Sequence, residues 1–204
     1  MREPESKRTW TFVDGQNLFH AVKSAFGYSY PNYDIAKLAA AVSQAQGWTL
    51  TRTSFYTGVP DASDNPRWNR FWTNKLLRMS RQGIHTFSRA LRYRNQTIAL
   101  PDGTQHVALV GQEKGIDVRL ALDVVRGTLH DEYDVALVFS QDQDLSELAD
   151  EVRTIATQQD RWIKIASAFP VSPTSSNKRG INKTDWIQIT RAEYDRCIDP
   201  NDYR

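Results

Sequence analysis

A single cysteine, Cys197, in 204 residues leaves no partner for an internal disulfide, so no disulfide framework is expected and a reducing cytosol fits best. The four histidines, His20, His85, His106 and His130, stand in no spacing that resembles a zinc site. Nowhere do about 18 uncharged apolar residues run together, and Met1 to Arg8 lacks the apolar centre of a signal peptide. The expectation is a cytoplasmic chain with no membrane partner. Charge of one sign is lacking too: 26 Lys and Arg against 24 Asp and Glu leave a formal net charge of +2. No global field draws a polyanion, and any nucleic-acid affinity must come from local clusters. The chain contains no G-x-x-x-x-G-K phosphate loop, no G-x-G-x-x-G fingerprint and no G-x-S-x-G elbow, which argues against nucleotide-dependent and serine-hydrolase chemistry.

What is present is the composition of a folded protein, 40% hydrophobic and 25% charged, with no internal repeat and no boundary that splits residues 1–204 into two domains. Short β-branched or aromatic runs alternate with segments of helical period, the pattern of an α/β domain with a mainly parallel sheet. Strands are expected near Trp10–Val13, Thr49–Tyr56, Ile84–Leu91, Tyr133–Phe139 and Trp162–Ala166, with a short one at Trp186–Ile189. Helices are expected at about Leu18–Phe26, Tyr33–Gln46, Pro66 to Gly83, Ile116–Leu129 and Leu145–Thr157, with a terminal helix last. Between Arg92 and Gly111, the runs Thr97–Leu100 and His106–Val110 around Pro101-Asp-Gly103 predict an inserted β-hairpin. Phe169 to Gly180, rich in Ser and Pro, reads as a flexible loop.

Chemistry is concentrated where strands stop. Trp10-Thr-Phe-Val-Asp14 and Val135-Ala-Leu-Val-Phe-Ser-Gln-Asp-Gln-Asp144 both end in carboxylates, and in an open parallel sheet ligands collect beyond the carboxyl ends of the strands. Gathering several carboxylates is costly unless a cation neutralises them. Asp142 and Asp144, two apart in an extended link, would point to one side, although Asp144 can equally cap the next helix. Ser140 could orient a carboxylate or be an ordinary strand-end hydroxyl. Asp14-Gly-Gln-Asn17 suits a site at an abrupt turn and suits a plain helix cap as well. On the Ile116–Leu129 helix, Asp117 and Asp123 lie roughly 240° apart and cannot share a face. Asp117 sits in the first turn, where a carboxylate also complements the helix dipole, and Asp123 suits a structural hydrogen-bonding role.

Phe12-Val-Asp14-Gly-Gln-Asn17-Leu18, Glu113-Lys-Gly-Ile-Asp117-Val118 with Asp123 downstream, and Ser140-Gln-Asp142-Gln-Asp144-Leu145 resemble the three signature blocks of the NYN domain family, within the PIN-like nuclease superfamily. Their order and spacing match from about Thr9 to Ile189. The resemblance implies a PIN-like three-layer α/β/α sandwich with a central mainly parallel sheet, here with the inserted β-hairpin near 92–111. It also implies a Mg²⁺ or Mn²⁺ site for RNA hydrolysis at Asp14, Asp117, Asp142 and Asp144, with Asn17 beside them. The family commonly has Gly at the position of Gln141 and Ser at that of Gln143, so both glutamines are expected to crowd the crevice.

Cations that could hold an RNA backbone are Lys114 beside the site, Arg89 and Arg92, Lys178 and Arg179 in the Ser-rich loop, and Arg67, Arg70, Lys75, Arg78 and Arg81 on the third helix; a solvated face is the alternative. Lys114 could instead pair with Glu113 or Asp117. Trp68, Trp72 and Leu76, four apart, form one helical stripe that reads as core. The functional expectation is a metal-dependent endoribonuclease acting on single-stranded or structured RNA, with a second copy of the chain as a further partner the reading leaves open. Two alternatives stand beside it. One is a nucleic-acid-binding regulatory module of the same fold with little or no catalysis. The other is a phosphatase with an Asp nucleophile, which lacks the second aspartate expected two residues after Asp14.

Overall fold

A computed structural model describes residues 1–99 and 103–203. In chain order the elements are β1 (Arg8–Asp14), α1 (Gly15–Phe26), α2 (Ile35–Ala45), β2 (Thr49–Val59), α3 (Pro66–Arg81), β3 (His85–Ala90), β4 (Arg92–Ala99), β5 (Gln105–Gln112), α4 (Ile116–Leu129), β6 (Val135–Phe139), α5 (Ser146–Gln158), β7 (Lys164–Pro170), β8 (Asp185–Ile189) and α6 (Arg191–Asp195). Six strands form one sheet in the order β3-β2-β1-β6-β7-β8, every pair parallel. The order reverses beside β1: the chain builds outward through β2 and β3 on one side, then returns to lay β6, β7 and β8 on the other. The crevice between the ends of β1 and β6 is therefore the topological switch point.

Burial on both faces explains the strand sequences. Successive side chains of a strand point to opposite faces. Val13, Phe55, Leu137 and Phe139 face a core shared with α1, α2, α3 and α6. Their neighbours Phe12, Tyr56, Ala136 and Val138 face a second core under α4 and α5. A strand covered on both faces needs apolar residues throughout, and all five residues of β6 are buried. Together these layers make the α/β/α sandwich.

Several boundaries differ from the sequence expectation, and three of the differences have a plain physical reason. β7 runs on to Pro170 where a loop was expected from Phe169. A proline is tolerated at the strand's last position, and Ser167, buried, accepts the Ile181 N–H at 3.0 Å instead of facing water. The hairpin falls where expected, but its strands run past the apolar stretches Thr97–Leu100 and His106–Val110, pairing Arg92 with Gln112 through to Ala99 with Gln105, because its polar residues lie on an exposed ribbon where apolar alternation is not needed. It forms a separate two-stranded sheet and does not extend the main one. Of its expected turn, Pro101 and Asp102 lie outside the described residues. The third difference is at α5, which is preceded by a 3₁₀ turn over Gln143–Leu145.

Lys75, counted among the exposed cations of α3 from its sequence, is buried: its Nζ donates to the Tyr33 carbonyl at 2.8 Å and pairs with Asp199 at 3.3 Å. Amphipathic packing turned this one position inward and tied the carboxyl-terminal segment to α3. Trp72 of the aromatic stripe is buried, whereas Trp68 and Leu76 are only partly so.

No loop separates β1 from α1. Asp14 is the last residue of the strand and the N-cap of the helix, accepting the Asn17 N–H at 3.0 Å. This abrupt junction requires Gly15: a Cβ there would lie 2.5 Å from the Phe55 ring and 2.9 Å from the Tyr56 carbonyl oxygen. Gly15→Ala is expected to cost about 1–3 kcal/mol by overpacking, visible as a lowered denaturant midpoint with an unchanged m-value.

Candidate active site

Four acidic side chains from three separate segments meet at the switch point. Asp14 comes from the end of β1, Asp142 from the turn after β6, and Glu113 and Asp117 from the entry to α4; with Gln16, Asn17, His20 and Ile116 they line one cleft of about 280 Å³. Among the described residues none of the four acids is in an ion pair with Lys, Arg or His, so their charge is not balanced by a built-in cation.

The electrostatic cost is visible in two of them. Burial pushes the Asp14 carboxyl up from its ordinary 3.8 to about 6, and the nearby charges of Asp142 and Asp117 push the same way. The Asn17 N–H and the Ser140 hydroxyl, 3.4 Å from Asp14 Oδ2, pull in the opposite direction without overcoming burial. Glu113 is raised from 4.5 to about 7, first by burial and then by Asp14 and Asp117, against the pull of the Gly58 N–H. Gly58 makes room for this contact, since a Cβ there would fall 2.6 Å from Glu113 Cγ and 2.4 Å from Leu91.

Asn17 and Ser140 brace the centre. Asn17 Oδ1 accepts the Gln141 N–H at 2.8 Å, tying α1 to the end of β6, and Ser140 Oγ accepts the Asp142 N–H at 3.1 Å. Asp142 in turn caps the 3₁₀ turn by accepting the Asp144 N–H at 3.0 Å. The two aspartates thus differ from the sequence expectation. Asp142 takes both the capping role and a place on the cleft wall, while Asp144 is exposed and does not line the cleft. A 3₁₀ turn after Asp142 rotates Asp144 away, where an extended link would have kept the pair on one side.

Glu113 is the member of the site that sequence reasoning passed over. Its sequence marks it as a motif residue and a partner for Lys114, and the available signal is its position just before Lys114-Gly115 at a helix entry. Asp123 behaves as expected: it is buried on α4, accepts from the Tyr56 hydroxyl at 2.9 Å, and pairs with Arg119 and Arg126 outside the cleft. Asp123→Ala leaves that hydroxyl without its partner, and the expected loss is about 1–3 kcal/mol, read in denaturant unfolding.

Gln141 and Gln143 do not crowd the crevice. Gln141 Nε2 donates to the Arg179 carbonyl at 2.8 Å; Gln143 Nε2 donates to the Gly180 carbonyl at 3.0 Å and its Oε1 accepts the Asn182 N–H at 3.1 Å. Both point outward into the segment after β7. That segment, expected to be a flexible loop, is held down at Gly180–Asn182 by these bonds and folded on itself where Ser172 N–H donates to Ser175 Oγ at 2.9 Å.

The expected cations divide. Arg89 stands at the cleft's edge: a Cβ on Gly115 would meet its guanidinium at 2.7 Å, and the same group lies over the Phe87 ring at 5.4 Å. Lys114 is exposed and, among the described residues, pairs with neither Glu113 nor Asp117. Arg92 is exposed at the start of the hairpin. Lys178 is turned onto the Pro173 carbonyl at 2.8 Å, and Arg179 reaches Asn182 and the Trp186 ring.

The donor set suits a hard divalent cation, being carboxylate oxygen with no thiolate or paired imidazole. Among the described residues, however, no three Asp, Glu, His or Cys side chains converge closely enough to hold an ion as they stand. The chemistry of the lining fits such an ion better than its present spacing does.

A family model for the NYN domain, a PIN-like nuclease-type domain, matches residues 8–177. Among solved structures, a Vibrio parahaemolyticus protein of unknown function superposes with a TM-score of 0.52 at 14% identity, covering 95% of this chain and 99% of that one, which shows a shared fold. MurG of Acinetobacter baumannii gives a TM-score of 0.32 at 12% identity over 89% of this chain and 45% of that one, too low to carry an argument. No curated protein matches the chain. No helix of the described residues is long and apolar enough to cross a membrane.

Proposed function

Because this chain belongs to the NYN domain family, whose members are generally nucleases, we propose that it is a metal-dependent endoribonuclease cleaving RNA phosphodiesters at the cleft between β1 and β6. The observation that carries this reading is the set of four carboxylates, unbalanced by any cation of the described chain, in one cleft at the switch point. Asp14, Asp117 and Asp142, with Glu113 beside them, would hold Mg²⁺ or Mn²⁺. Such an ion, when bound, polarises a phosphoryl oxygen and lowers the pKa of an attacking water.

The chain's own residues supply the rest. Asp14 is immobilised by the Asn17 N–H, so its oxygens face the cleft in one orientation. Asn17 acts as the brace that holds the β6 end against α1. Glu113, pushed up by burial and by Asp14 and Asp117 in the cleft without an ion, would be drawn back to its ionised form by a bound cation and complete the acidic wall. Asp144 adds negative charge to the rim from outside the lining. Arg89 and Lys114 would meet the phosphates that flank the scissile one, with Lys178, Arg179 and Arg92 as outer contacts, through charge-assisted hydrogen bonds to the backbone that read no base.

The test is incubation of the protein with end-labelled single-stranded and hairpin RNA in Mn²⁺, in Mg²⁺ and in chelator, beside Asp142→Asn. The reading requires internal cleavage that depends on the divalent ion and is lost in the variant. The spacing of the carboxylates favours a second reading, an RNA-binding module with little turnover; ion-independent binding without cleavage would select it.

A further inference from the structure

Three cavities lie side by side, and His20 of α1 lines all of them. The acidic cleft is the middle one. On one flank is a polar cavity of about 230 Å³ bordered by Asn17, Gln141, Ser175 and Asn177. On the other flank, sharing Gln16 and Glu113 with the acidic cleft, is a cavity of about 180 Å³ walled by Phe19, Pro60, Trp68, Trp72 and Leu91. The lining therefore passes from polar, through acidic, to aromatic along one groove.

We propose that the aromatic cavity binds a single unpaired nucleobase of an RNA strand whose backbone crosses the acidic cleft. The proposal rests on the nuclease reading and adds to it a subsite that takes one base drawn out of its stack. Trp68 is half-buried, and its ring is fixed edge-on against Phe71 at 5.1 Å and 72°, so it presents a held aromatic surface. Trp72 beside it does the core packing, in a tilted contact with Phe55 at 5.9 Å. The division explains why only one of two tryptophans on the same helical stripe is withdrawn from solvent. At about 180 Å³ the cavity is below the roughly 300 Å³ at which pockets for larger ligands begin, which suits one ring system and not a base pair. Stacking on an aromatic face is available to every base, and the Gln16 and His20 side chains at the mouth offer hydrogen-bonding groups to its edge. A paired base in an A-form helix cannot be splayed into such a pocket without unpairing, so single-stranded segments are favoured.

The experiment uses Asp142→Asn protein, to separate binding from cleavage, and a set of single-stranded RNA oligomers carrying 2-aminopurine, or an abasic nucleotide, at each position in turn. Quenching of 2-aminopurine at one position, and about tenfold weaker binding when that position is abasic, are expected. Adding Trp68→Leu should abolish the quench and weaken binding by a similar factor, and Phe19→Leu, which leaves the Trp68–Phe71 contact intact, should weaken it in the same direction. Melting curves of each variant confirm that it is folded. If abasic and intact strands bind alike, or the quench survives in both folded variants, the base pocket is overturned while the nuclease reading stands. If no RNA of any kind binds, both fall.

Discussion

Asp14→Asn is expected to lower RNA cleavage at least about 100-fold and, in the same protein, to raise stability at pH 8. The two effects have one cause. Asp14 is nine-tenths withdrawn from water with Asp142 and Asp117 nearby, so keeping it ionised in the folded state is unfavourable, and its pKa near 6 measures that cost. Asparagine keeps the shape and an acceptor for the Asn17 N–H but carries no charge, and the penalty disappears together with the function. The shift bounds the gain at about 3 kcal/mol, and about 1–3 kcal/mol is expected because neighbouring carboxylates relax in concert. For a domain of this size that corresponds to roughly 2–10 °C in melting temperature. Divalent cation should raise the melting temperature of the unaltered protein and leave Asp14→Asn nearly unmoved. A variant that loses cleavage and also loses stability would mean that Asp14 is a structural cap, not a site assembled against repulsion.

The second large effect is a pH dependence confined to one window. Asp14 and Glu113 both have folded pKa values above their ordinary ones, about 6 against 3.8 and about 7 against 4.5. The unfolded chain therefore releases these protons first as pH rises. Below about pH 3 both groups are protonated in both states and cost nothing. Stability is lost progressively between about pH 3 and 8 and is level above that. Other carboxylates act in reverse: hydrogen bonds and charge from Arg8 hold Asp134 below its ordinary range, and the Asn201 and Tyr203 hydrogen bonds do the same for Asp199, so both favour higher pH. The measurement that isolates the cleft is the difference in unfolding free energy between the unaltered protein and Asp14→Asn/Glu113→Gln, taken without divalent ions. That difference should be near zero at pH 3 and grow to about 2–5 kcal/mol in the double variant's favour at pH 8. A gap that stays constant with pH would show that the two acids are not held at a cost.

Much of the architecture could be read from periodicity. The spacing of Ile116, Leu120 and Val124 predicts α4 to its observed ends, and the unbroken apolar run of β6 marks a strand covered on both faces. Legibility failed where a residue's neighbours come from far along the chain. Phe169 and Pro170 look like the start of a loop until Gln188 and Ile189 pair with them, and Lys75 looks like surface until Tyr33 and Asp199 surround it. Gln141 and Gln143 look like obstructions until the segment at Arg179–Asn182 draws them outward.

For the site the division is sharper. The order and spacing of three short blocks identified the family and pointed to Asp14, Asp117, Asp142 and Asp144, because a strand that ends in a carboxylate, as at Asp14 and Asp142, or a helix entry that carries one, as at Asp117, is a local pattern that one stretch of chain carries by itself. Which carboxylates line the cleft was decided only by the fold. A 3₁₀ turn moved Asp144 out, and Gly58, with no side chain of its own, let Glu113 in. Charge repulsion, burial and the room left by a glycine 55 residues away depend on distances in space, and distance along the chain does not encode them.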